Sequence, residues 1–455
     1  MVWAVQGHPA EGEHGRAKAS AKPRLAIAVP SPCRCRVAAP VSLRWHALVK
    51  PVLSPRRSPG SLPPQALIPS PRQQFWPWWP LLPLYPYGRR RTLVRTLVPD
   101  QLWGFEQLQG VWYVAVPIRM SVLRVEQGLL LYAPVAATAE VIQQLRDLEQ
   151  RWGPVHTIVL PTASGLEHKL PVPAMARAFP AAKVWVAPGQ WSFPFQLPSP
   201  WLGFPSGRTR VLFEDGVPFP QQLDWRALGP IDLGLGSFTE VACFDRASGS
   251  LLLTDALVAI PRQAPALFDL DPTPLLFHGR ERGDEPLSDD PAIRQRGWQR
   301  LTLFANFLRP APLQVPPLAS VLVRAFAPGC RGPRSHFGVY PFAWQPGWEE
   351  AFEQLVGPGP ARLQVAAVLE RLVFPRNRPA LLEWLRQLAA LPGLRWVVPA
   401  HYDAPVACNG EQLACLAQAL EERPWAPSEG NWATLAAIDH TLLRFGLVPG
   451  GVMSG

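Results

Sequence analysis

The chain has 455 residues, 56 prolines, 19 tryptophans and a formal net charge of +10, a length that suits about two or three domains. The charge is uneven, because residues 1–99 contain 15 lysines and arginines against two carboxylates, whereas the remaining 356 residues carry 29 basic and 32 acidic groups. Nucleic-acid recognition needs a basic face on a folded domain, so this distribution excludes a nucleic-acid partner. The six cysteines are scattered, without the spacing of a disulfide framework or of zinc knuckles.

No apolar run approaches the roughly 20 residues that a membrane-spanning helix needs, so an integral membrane protein is not expected. The N-terminal segment also lacks the apolar core of a secretory signal, so the protein is not expected to be secreted. Together with the scattered cysteines, these features predict a cytoplasmic protein with reduced thiols. Attachment to the periphery of an internal, thylakoid-type membrane is left open.

Residues 1–74 show no sustained helical or alternating period, and prolines and arginines recur throughout them. A segment of this composition cannot bury enough apolar surface to order itself. Three interpretations remain open: a disordered basic leader, a targeting segment, and a gene start assigned too far upstream.

Residues 75–98 form a different segment, rich in aromatic residues and prolines and containing three consecutive arginines. The prolines forbid a regular helix there. One hypothesis is an arm that packs across the folded domain. The other is a membrane contact through 75–91, with aromatic rings at headgroup depth and arginines facing anionic lipid. The residues concerned are Trp76, Trp78, Trp79, Arg89, Arg90 and Arg91.

Residues 99–424 are predicted to form one folded α/β domain, in which alternating or buried apolar runs indicate strands and helical spacing indicates helices. The predicted strands cover 111–118, 120–126, 129–133, 155–160, 183–187, 240–245, 250–255 and 394–399. The predicted helices cover 138–149, a short segment ending at 179, 300–308, 348–356, 379–391 and 411–422, with another at 431–445 in a C-terminal tail, 425–455. A proline-interrupted stretch of about 260–345 has few assigned elements.

Three polar residues follow apolar strands: His168 in the loop after 155–160, Asp255 directly after its strand, and His401 after the last strand. An α/β scaffold holds reactive groups rigidly at strand ends, where ligands also gather. Each residue taken alone is more typical of a hydrogen-bonded loop side chain. His278 is a further histidine expected in a loop, with a place lining the cleft as the alternative.

Taken in order, these residues resemble the metallo-β-lactamase fold superfamily, whose hallmark loop reads T-H-x-H-x-D-H after a buried strand. The corresponding stretch here is 162–168, with Ala163 and Gly165 in place of two histidines and Glu167 in place of the aspartate. The bridging aspartate of the family corresponds to Asp255, and its final strand-end histidine corresponds to His401.

The resemblance implies a metallo-β-lactamase-like αββα sandwich with a degenerate metal site. The missing histidines, at Ala163, at Gly165 and near Leu233, belong to the first metal of the family's two-metal site. The survivors match the ligands of the second metal: Glu167, His168, Asp255 and His401. Two imidazoles and two carboxylates suffice for one zinc, manganese or iron ion, and a site without any ion remains the alternative. Asp403 is expected to orient the His401 ring.

At closer range the chain resembles the domain of unknown function 4336 family of oxygenic phototrophs and plastids. The stretches that carry this resemblance are 113–120, 132–136, 160–169, 186–194, 228–234, 297–300 and 401–405. The match covers about 75–450, which leads us to expect that the true protein begins near residue 70. The family brings no established activity.

Two functions are compatible with such a site. The first is a binding or structural module without two-metal hydrolysis, with an unknown small molecule or protein as its partner. The second is a single-metal hydrolase of an ester, thioester or phosphodiester. Residues 229–236 lack the context of a dinucleotide fingerprint, and no serine lies in a G-x-S-x-G elbow, so neither a dinucleotide cofactor nor that type of serine nucleophile is expected.

Overall fold

The computed structural model describes residues 70–76, 84–85, 88–111, 114–190, 197–326, 338–423, 425 and 427–451. Residues 1–69 of the leader lie outside the described residues. The structure therefore tests none of the three interpretations offered for the leader.

Strands make up the centre of the folded body. In chain order they are β1 (Leu84–Tyr85), β2 (Leu93–Val98), β3 (Leu102–Val111), β4 (Val114–Val125), β5 (Gly128–Tyr132), β6 (Val155–Leu160), β7 (Lys183–Val186), β8 (Thr209–Val211), β9 (Leu223–Asp232), β10 (Ser237–Asp245), β11 (Ser250–Leu253), β12 (Leu257–Ala259), β13 (Leu313–Gln314), β14 (Ala343–Trp344), β15 (Leu363–Val365), β16 (Trp396–Pro399) and β17 (Val406–Ala407).

Helices cover the outside of the sheets and fill the connections. In chain order they are α1 (Ala139–Trp152), α2 (Leu166–Lys169), α3 (Val172–Ala178), α4 (Leu267–Leu270), α5 (Thr273–His278), α6 (Pro291–Phe307), α7 (Leu318–Ala325), α8 (Trp348–Val356), α9 (Ala367–Leu372), α10 (Arg378–Ala389), α11 (Gly410–Glu422) and α12 (Ala433–Arg444).

The strands form two main sheets. The first has the order β1-β3-β4-β5-β6-β7-β8, with β2 also paired to β3. It is antiparallel as far as β5 and parallel from β5 to β8, with helices as crossovers, as parallel strands require. The second sheet has the order β17-β16-β11-β10-β9. Its neighbours are antiparallel except for β11 and β16, which run parallel.

Side-chain alternation along the strands builds the layers. Leu129 and Leu131 of β5 pack with α1 and α3, whereas Leu130 between them belongs to the buried cluster that joins the two sheets. In the same way Leu252 of β11 lies between the sheets, whereas Leu251 packs against α10 and α11. Successive strand residues point to opposite faces, so each central strand serves two cores. The αββα sandwich expected from the sequence is confirmed.

The described part of the proline-interrupted stretch contains four helices, α4 to α7, of which the sequence pattern indicated only the second half of α6. Pro274 and Pro291 occupy the first turns of α5 and α6. A proline there sacrifices no helical hydrogen bond, because first-turn N–H groups have no partner within the helix. The Asp290 side chain caps α6 by accepting from two backbone N–H groups. These prolines therefore begin helices.

Two segments that the sequence analysis set apart from the domain are built into it. Residues 93–98, assigned to the arm, form β2 and pair with β3. In the C-terminal tail, α12 buries Leu435 completely, and Asp439 accepts hydrogen bonds from Arg371 and Arg376. Apolar burial and paired buried charges join both segments to the body.

The start of the aromatic arm packs against the folded body. Trp76 is 5% exposed, and the guanidinium carbon of Arg90 lies 4.1 Å from the centroid of its ring. Arg90 Nη1 donates to Gln109 Oε1 over 2.8 Å, and Arg91 Nη1 donates to the carbonyl oxygen of Leu270 over 2.9 Å. The packing hypothesis therefore holds for these residues, and the proposed membrane role of Trp76 and Arg90 was wrong, because both are buried.

The rest of the membrane hypothesis concerns other residues of the arm. Arg89 is exposed, and Trp78 and Trp79 lie outside the described residues. Within the described ranges, no helix combines the length and the apolar character needed to cross a bilayer. A peripheral contact through Arg89, Trp78 and Trp79 stays a prediction.

We expect Trp76→Ala to lower the free energy of unfolding by about 3–5 kcal/mol, the usual cost of emptying a buried aromatic position. Chemical denaturation of the full chain measures this change. Trp201, which is 76% exposed, provides the matched control, since Trp201→Ala should cost about 0.5 kcal/mol or less. Equal small losses for the two variants would contradict the packing of Trp76 on the body.

Candidate metal centre

The parallel pairing of β11 with β16 sets the position of two predicted site residues. Leu253 and Pro399 are register partners at the ends of these strands, and Asp255 and His401 each follow two residues later. Parallel strands deliver their carboxyl ends to the same edge of a sheet. As a result, Asp255 Oδ1 lies 3.0 Å from His401 Nε2 although 146 residues separate them in sequence.

The exit of β6 brings the hallmark loop to the same edge. The Ala163 N–H donates to the Thr239 carbonyl, and the Val241 N–H donates to the Pro161 carbonyl, which ties the first sheet to the second. A side chain at Gly165 would place its Cβ 2.7 Å from Thr162 Cγ2, so the loop folds too tightly there for a larger residue. The helix that follows, α2, carries Glu167 and His168.

Three ligand-type side chains converge where these segments meet. Potential donor atoms of Glu167, His168 and His401 all lie within 4.8 Å of one another, and the two imidazole centroids are 6.1 Å apart. Asp255 joins the cluster through its hydrogen bond to His401 and accepts another from the Thr162 hydroxyl. The structure therefore brings together the four residues that the sequence placed at a metal.

Both histidines are held by their Nδ1 atoms. His168 Nδ1 lies 3.1 Å from the Pro134 carbonyl oxygen, and His401 Nδ1 lies 3.2 Å from the Pro117 carbonyl oxygen. A carbonyl oxygen only accepts, so these contacts place a proton on each Nδ1. In His168, whose ring is neutral, this leaves the lone pair on Nε2, whereas His401 Nε2 faces the Asp255 carboxylate and donates to it in the absence of an ion. His168 is fully buried, and its Nε2 has no hydrogen-bond partner among the described residues.

Burial and mutual interaction shift the pKa values of the cluster in different directions. Burial lowers the pKa of His168 to about 4, which keeps this ring neutral. Burial, reinforced by the charge of Asp255, raises the pKa of Glu167 to about 7. Burial is the largest influence on Asp255 and His401 and opposes charge on both, but their hydrogen bond and the surrounding opposite charges together outweigh it, so the pKa of the aspartate falls and that of the histidine rises. The cluster holds groups poised to exchange protons near neutrality.

Glu240 supports the Asp255 loop and was missed by the sequence analysis. Its fully buried carboxylate accepts from the backbone N–H groups of Thr254, Asp255 and Ala256, at 2.7, 3.0 and 2.8 Å. Three such bonds fix the turn that presents Asp255. An acidic residue within the otherwise apolar run of β10 was the available signal, since a charge in a buried strand needs a dedicated partner.

Arg119 supports the His401 loop in a similar way. This arginine is 2% exposed and donates through its two terminal nitrogens to the carbonyls of Pro399 and Tyr402, which flank the histidine. Its Nε donates to Glu106 Oε1 over 2.8 Å. The signal in the sequence was again a charged residue inside an apolar strand, here β4.

The cluster faces a cavity of about 460 Å³, a volume typical of small-molecule sites. Glu167, Asp255 and His401 lie at one end of it, whereas His168 is buried behind them. Apolar side chains from the β3–β4 region and from α9 form much of the rest of the wall. The arrangement places a ligand-type cluster at the wall of a mainly apolar cavity.

Two sequence-predicted residues lie elsewhere. His278 ends α5 within an aromatic cluster that includes Phe304 and Phe342, and it is not among the described residues lining the cavity. Both the loop position and the cleft position expected for it were wrong, because its ring packs in the core on a helix. Asp403 acts electrostatically on Arg119, while the Pro117 carbonyl occupies the position beside His401 Nδ1. The orienting role of Asp403 stays a prediction.

The donor set fits a divalent metal ion. Imidazole nitrogens and carboxylate oxygens are the ligands that zinc, manganese and iron prefer. Anchoring of Nδ1 by a backbone carbonyl is the usual outer contact of a metal-ligating histidine. The unpartnered, buried Nε2 of His168 also calls for a partner that the described side chains do not supply. The residues that would hold an ion are Glu167, His168 and His401, with Asp255 beside them.

The four layers and this cluster define an αββα protein with a histidine–carboxylate site at the junction of its two sheets. Residues 99–420 match the family model described as a domain of unknown function, DUF4336, and the chain belongs to this family. The family prediction is therefore confirmed.

Several solved structures are similar to the chain at low sequence identity. A metallo-β-lactamase from Pontibacter korlensis shares 11% identity, with 73% of this chain and 100% of that chain covered and a TM-score of 0.32. The metallo-β-lactamase FIM-1 from Pseudomonas aeruginosa, in a mono-zinc form, shares 10% identity over 73% of this chain and 97% of that chain, with a TM-score of 0.30. A metal-soaked Flv1 flavodiiron core from Synechocystis sp. PCC6803 shares 10% identity over 79% of this chain and 71% of that chain, with a TM-score of 0.36. No curated protein matches the chain.

We expect Arg119→Met to lower the free energy of unfolding by about 1–3 kcal/mol for each of the two buried carbonyls that lose their donor, while Glu106 keeps its ion pair with Arg95. Arg119→Lys should recover only part of this loss, since an ammonium lacks the planar fork of donors. Urea denaturation measures both variants. The exposed pair of Arg386 with Glu421 gives the control, as Arg386→Met should cost about 0–1 kcal/mol. A comparable effect at the two positions would refute the clamping role of Arg119.

Proposed function

We propose that this chain is a metallo-β-lactamase-like protein that binds a single divalent metal ion and hydrolyses an ester-type bond. Glu167, His168 and His401 would hold the ion, with Asp255 as the fourth ligand. The observation that carries the proposal is the buried Nε2 of His168, which has no hydrogen-bond partner among the described residues and lies within 4.8 Å of donor atoms on Glu167 and His401.

The cost of burying such a nitrogen supports a ligand role. A buried polar atom left without a partner costs about 1–3 kcal/mol, and a lone pair that coordinates a metal avoids this cost. Lowering of the His168 pKa to about 4 by burial keeps the ring in its neutral, ligating form. His168 is therefore suited to binding a metal and unsuited to exchanging protons at neutral pH.

The absent histidines support one ion rather than two. Ala163 and Gly165 have no side-chain donor, and Leu233 offers only an apolar side chain. These are the positions that resemble the ligands of the first metal in the two-metal superfamily. The remaining donors suffice for one ion alone.

A bound ion of this kind supplies Lewis acidity and lowers the pKa of water towards about 7. The chain's own residues contribute the rest. Glu167, with its pKa raised to about 7, can hold or release a proton at the cavity wall. Glu240 and Arg119 fix the loops on either side of the site, and the apolar wall keeps bulk water from the substrate.

A binding module without catalysis is the second candidate. One observation favours it: His401 Nε2 already pairs with Asp255 Oδ1 at 3.0 Å, so these two groups satisfy each other without an ion. In that case the cavity would bind a small molecule and leave it unchanged.

Full-length protein purified without chelator should contain about one equivalent of zinc, manganese or iron, measured by plasma mass spectrometry. His168→Ala and His401→Ala should each weaken metal binding by more than the roughly 10–100-fold that loss of an outer-shell partner costs. His156 is partly exposed and bonds to Thr157, so His156→Ala is the matched control and should retain the metal.

Each outcome of that experiment bears on one candidate. Absence of metal from the purified protein, or its retention in both site variants, would refute the metal-dependent function. Stoichiometric metal together with no turnover of any ester would support the binding module instead.

Metal affinity should rise between about pH 6 and about pH 8, because ligands bind only after losing their protons. In the metal-free chain the pKa of Glu167 is about 7 and that of His401 is raised, so protons compete with the ion below neutrality. His168 is already neutral in this range. Competition with a fluorescent chelator measures the affinity at each pH. Glu167→Gln should flatten the pH dependence, and an affinity independent of pH in the unsubstituted protein would contradict proton competition.

A further inference from the structure

The charge of the cavity wall is unusual for a site that would bind an anion. Its carboxylate and imidazole side chains among the described lining residues are Glu167, Asp255 and His401, and none of those lining residues is a lysine or an arginine. Sites for phosphate or carboxylate groups depend on such cations for bidentate hydrogen bonds and charge. The wall offers an incoming anion no fixed positive partner.

An ion bound at the site would still leave the wall without excess positive charge. The carboxylates of Glu167 and Asp255 together offset the charge of a divalent cation, and neutral imidazoles add none. Lys169, the cation nearest in sequence, donates through Nζ to the Ala163 carbonyl and is not among the described lining residues. A phosphodiester would therefore enter a space without net positive charge and lose its hydration there.

The rest of the wall is suited to an apolar group. Val116, Val258, Leu308, Val368 and Leu369 line it. They come from β4 of the first sheet, from the short strand β12, from the end of α6 and from α9. Burial of apolar surface against such residues gives about 25 cal/mol per Å². The cavity thus favours a hydrocarbon chain.

The other polar side chains that line the cavity are uncharged amide and hydroxyl groups. Asn306 Nδ2 donates to the Tyr402 hydroxyl over 3.2 Å and to the Thr302 carbonyl over 2.9 Å. Ser164 and Gln109 complete this set of uncharged donors and acceptors. Groups of this kind suit an ester or thioester carbonyl.

We infer that the cavity takes an uncharged acyl compound, a carboxylic ester or thioester with an apolar acyl chain, and rejects phosphodiesters and other anions. The inference rests on the proposed function and narrows its substrate class. In the reaction, water adds its oxygen to the acyl carbon, the bond to the leaving oxygen or sulfur breaks, and the proton of water passes to the departing alcohol or thiol. The products are a carboxylic acid and that alcohol or thiol.

Two esters that differ by one charge test the substrate class. The probes are p-nitrophenyl hexanoate and the mono-p-nitrophenyl ester of adipic acid, which has the same chain length but ends in a carboxylate. Full-length, metal-loaded protein should hydrolyse the neutral ester with kcat/KM at least about tenfold higher, since burying an unpaired carboxylate against an apolar wall costs more than 1.4 kcal/mol. Release of p-nitrophenol is followed by absorbance.

A charge placed in the wall should reverse part of this preference. Val368→Arg adds a cation among the lining residues, and it should lower the ratio of neutral to anionic turnover by about tenfold or more. Val323 lies on α7, is 74% exposed and is not among the described lining residues. Val323→Arg therefore adds the same charge elsewhere and should leave the ratio unchanged.

The metal content of the same samples distinguishes failure of the inferred substrate class from failure of the proposed metal-dependent function. Equal or faster hydrolysis of the adipate ester, or a ratio that Val368→Arg leaves unaltered, would overturn the substrate class while the metal-dependent function stands. Bound metal without turnover of either ester would also overturn the inferred substrate class. Protein that holds no metal would overturn the proposed function itself.

Discussion

The site depends on the parallel pairing of β11 with β16. This pairing places Leu253 beside Pro399, so the chain leaves both strands at the same edge and brings Asp255 to His401. A slip of one residue would turn every side chain of a strand to its other face, which would exchange the core contacts of β11 and separate the pair. The cores on both faces of the sheet therefore hold the geometry of the site.

Buried charges hold the loops that follow these strands. Glu240 and Arg119 form most of their hydrogen bonds with backbone groups next to Asp255 and His401. Charged groups withdrawn from water lower stability unless each has good partners, and here the partners are the loops themselves. Such clamps keep side chains in place before a ligand arrives. His168 differs from them, because its Nε2 lies buried without a partner among the described residues.

The site combines fewer ligand residues than the two-metal pattern with a mainly apolar cavity. Where the superfamily that the sequence resembles has histidines for a first metal, this chain has Ala163, Gly165 and Leu233. Gly165 also permits the tight turn before α2, where any larger residue would collide with Thr162. The donors that remain would balance the charge of one divalent ion, beside a wall that is mostly apolar. The proposed preference for an uncharged substrate rests on that balance.

Periodicity alone determined much of this protein, since β6, α8 and the β10–β11 hairpin follow apolar patterns set within a few neighbouring residues. The sequence also predicted the strand ends at Asp255 and His401 and the hallmark loop, because each directly follows such a local apolar pattern. Local patterns did not show that Pro274 and Pro291 begin helices, that His278 packs among aromatic rings, or that Trp76 lies beneath Arg90. Those outcomes depend on packing and capping contacts that exist only in the folded chain. Only tertiary structure decided the support from Glu240 and Arg119 and the mainly apolar lining of the cavity, because burial and pairing arise when strands and loops meet in the fold, as where Arg119 binds carbonyls 280 or more residues away in sequence.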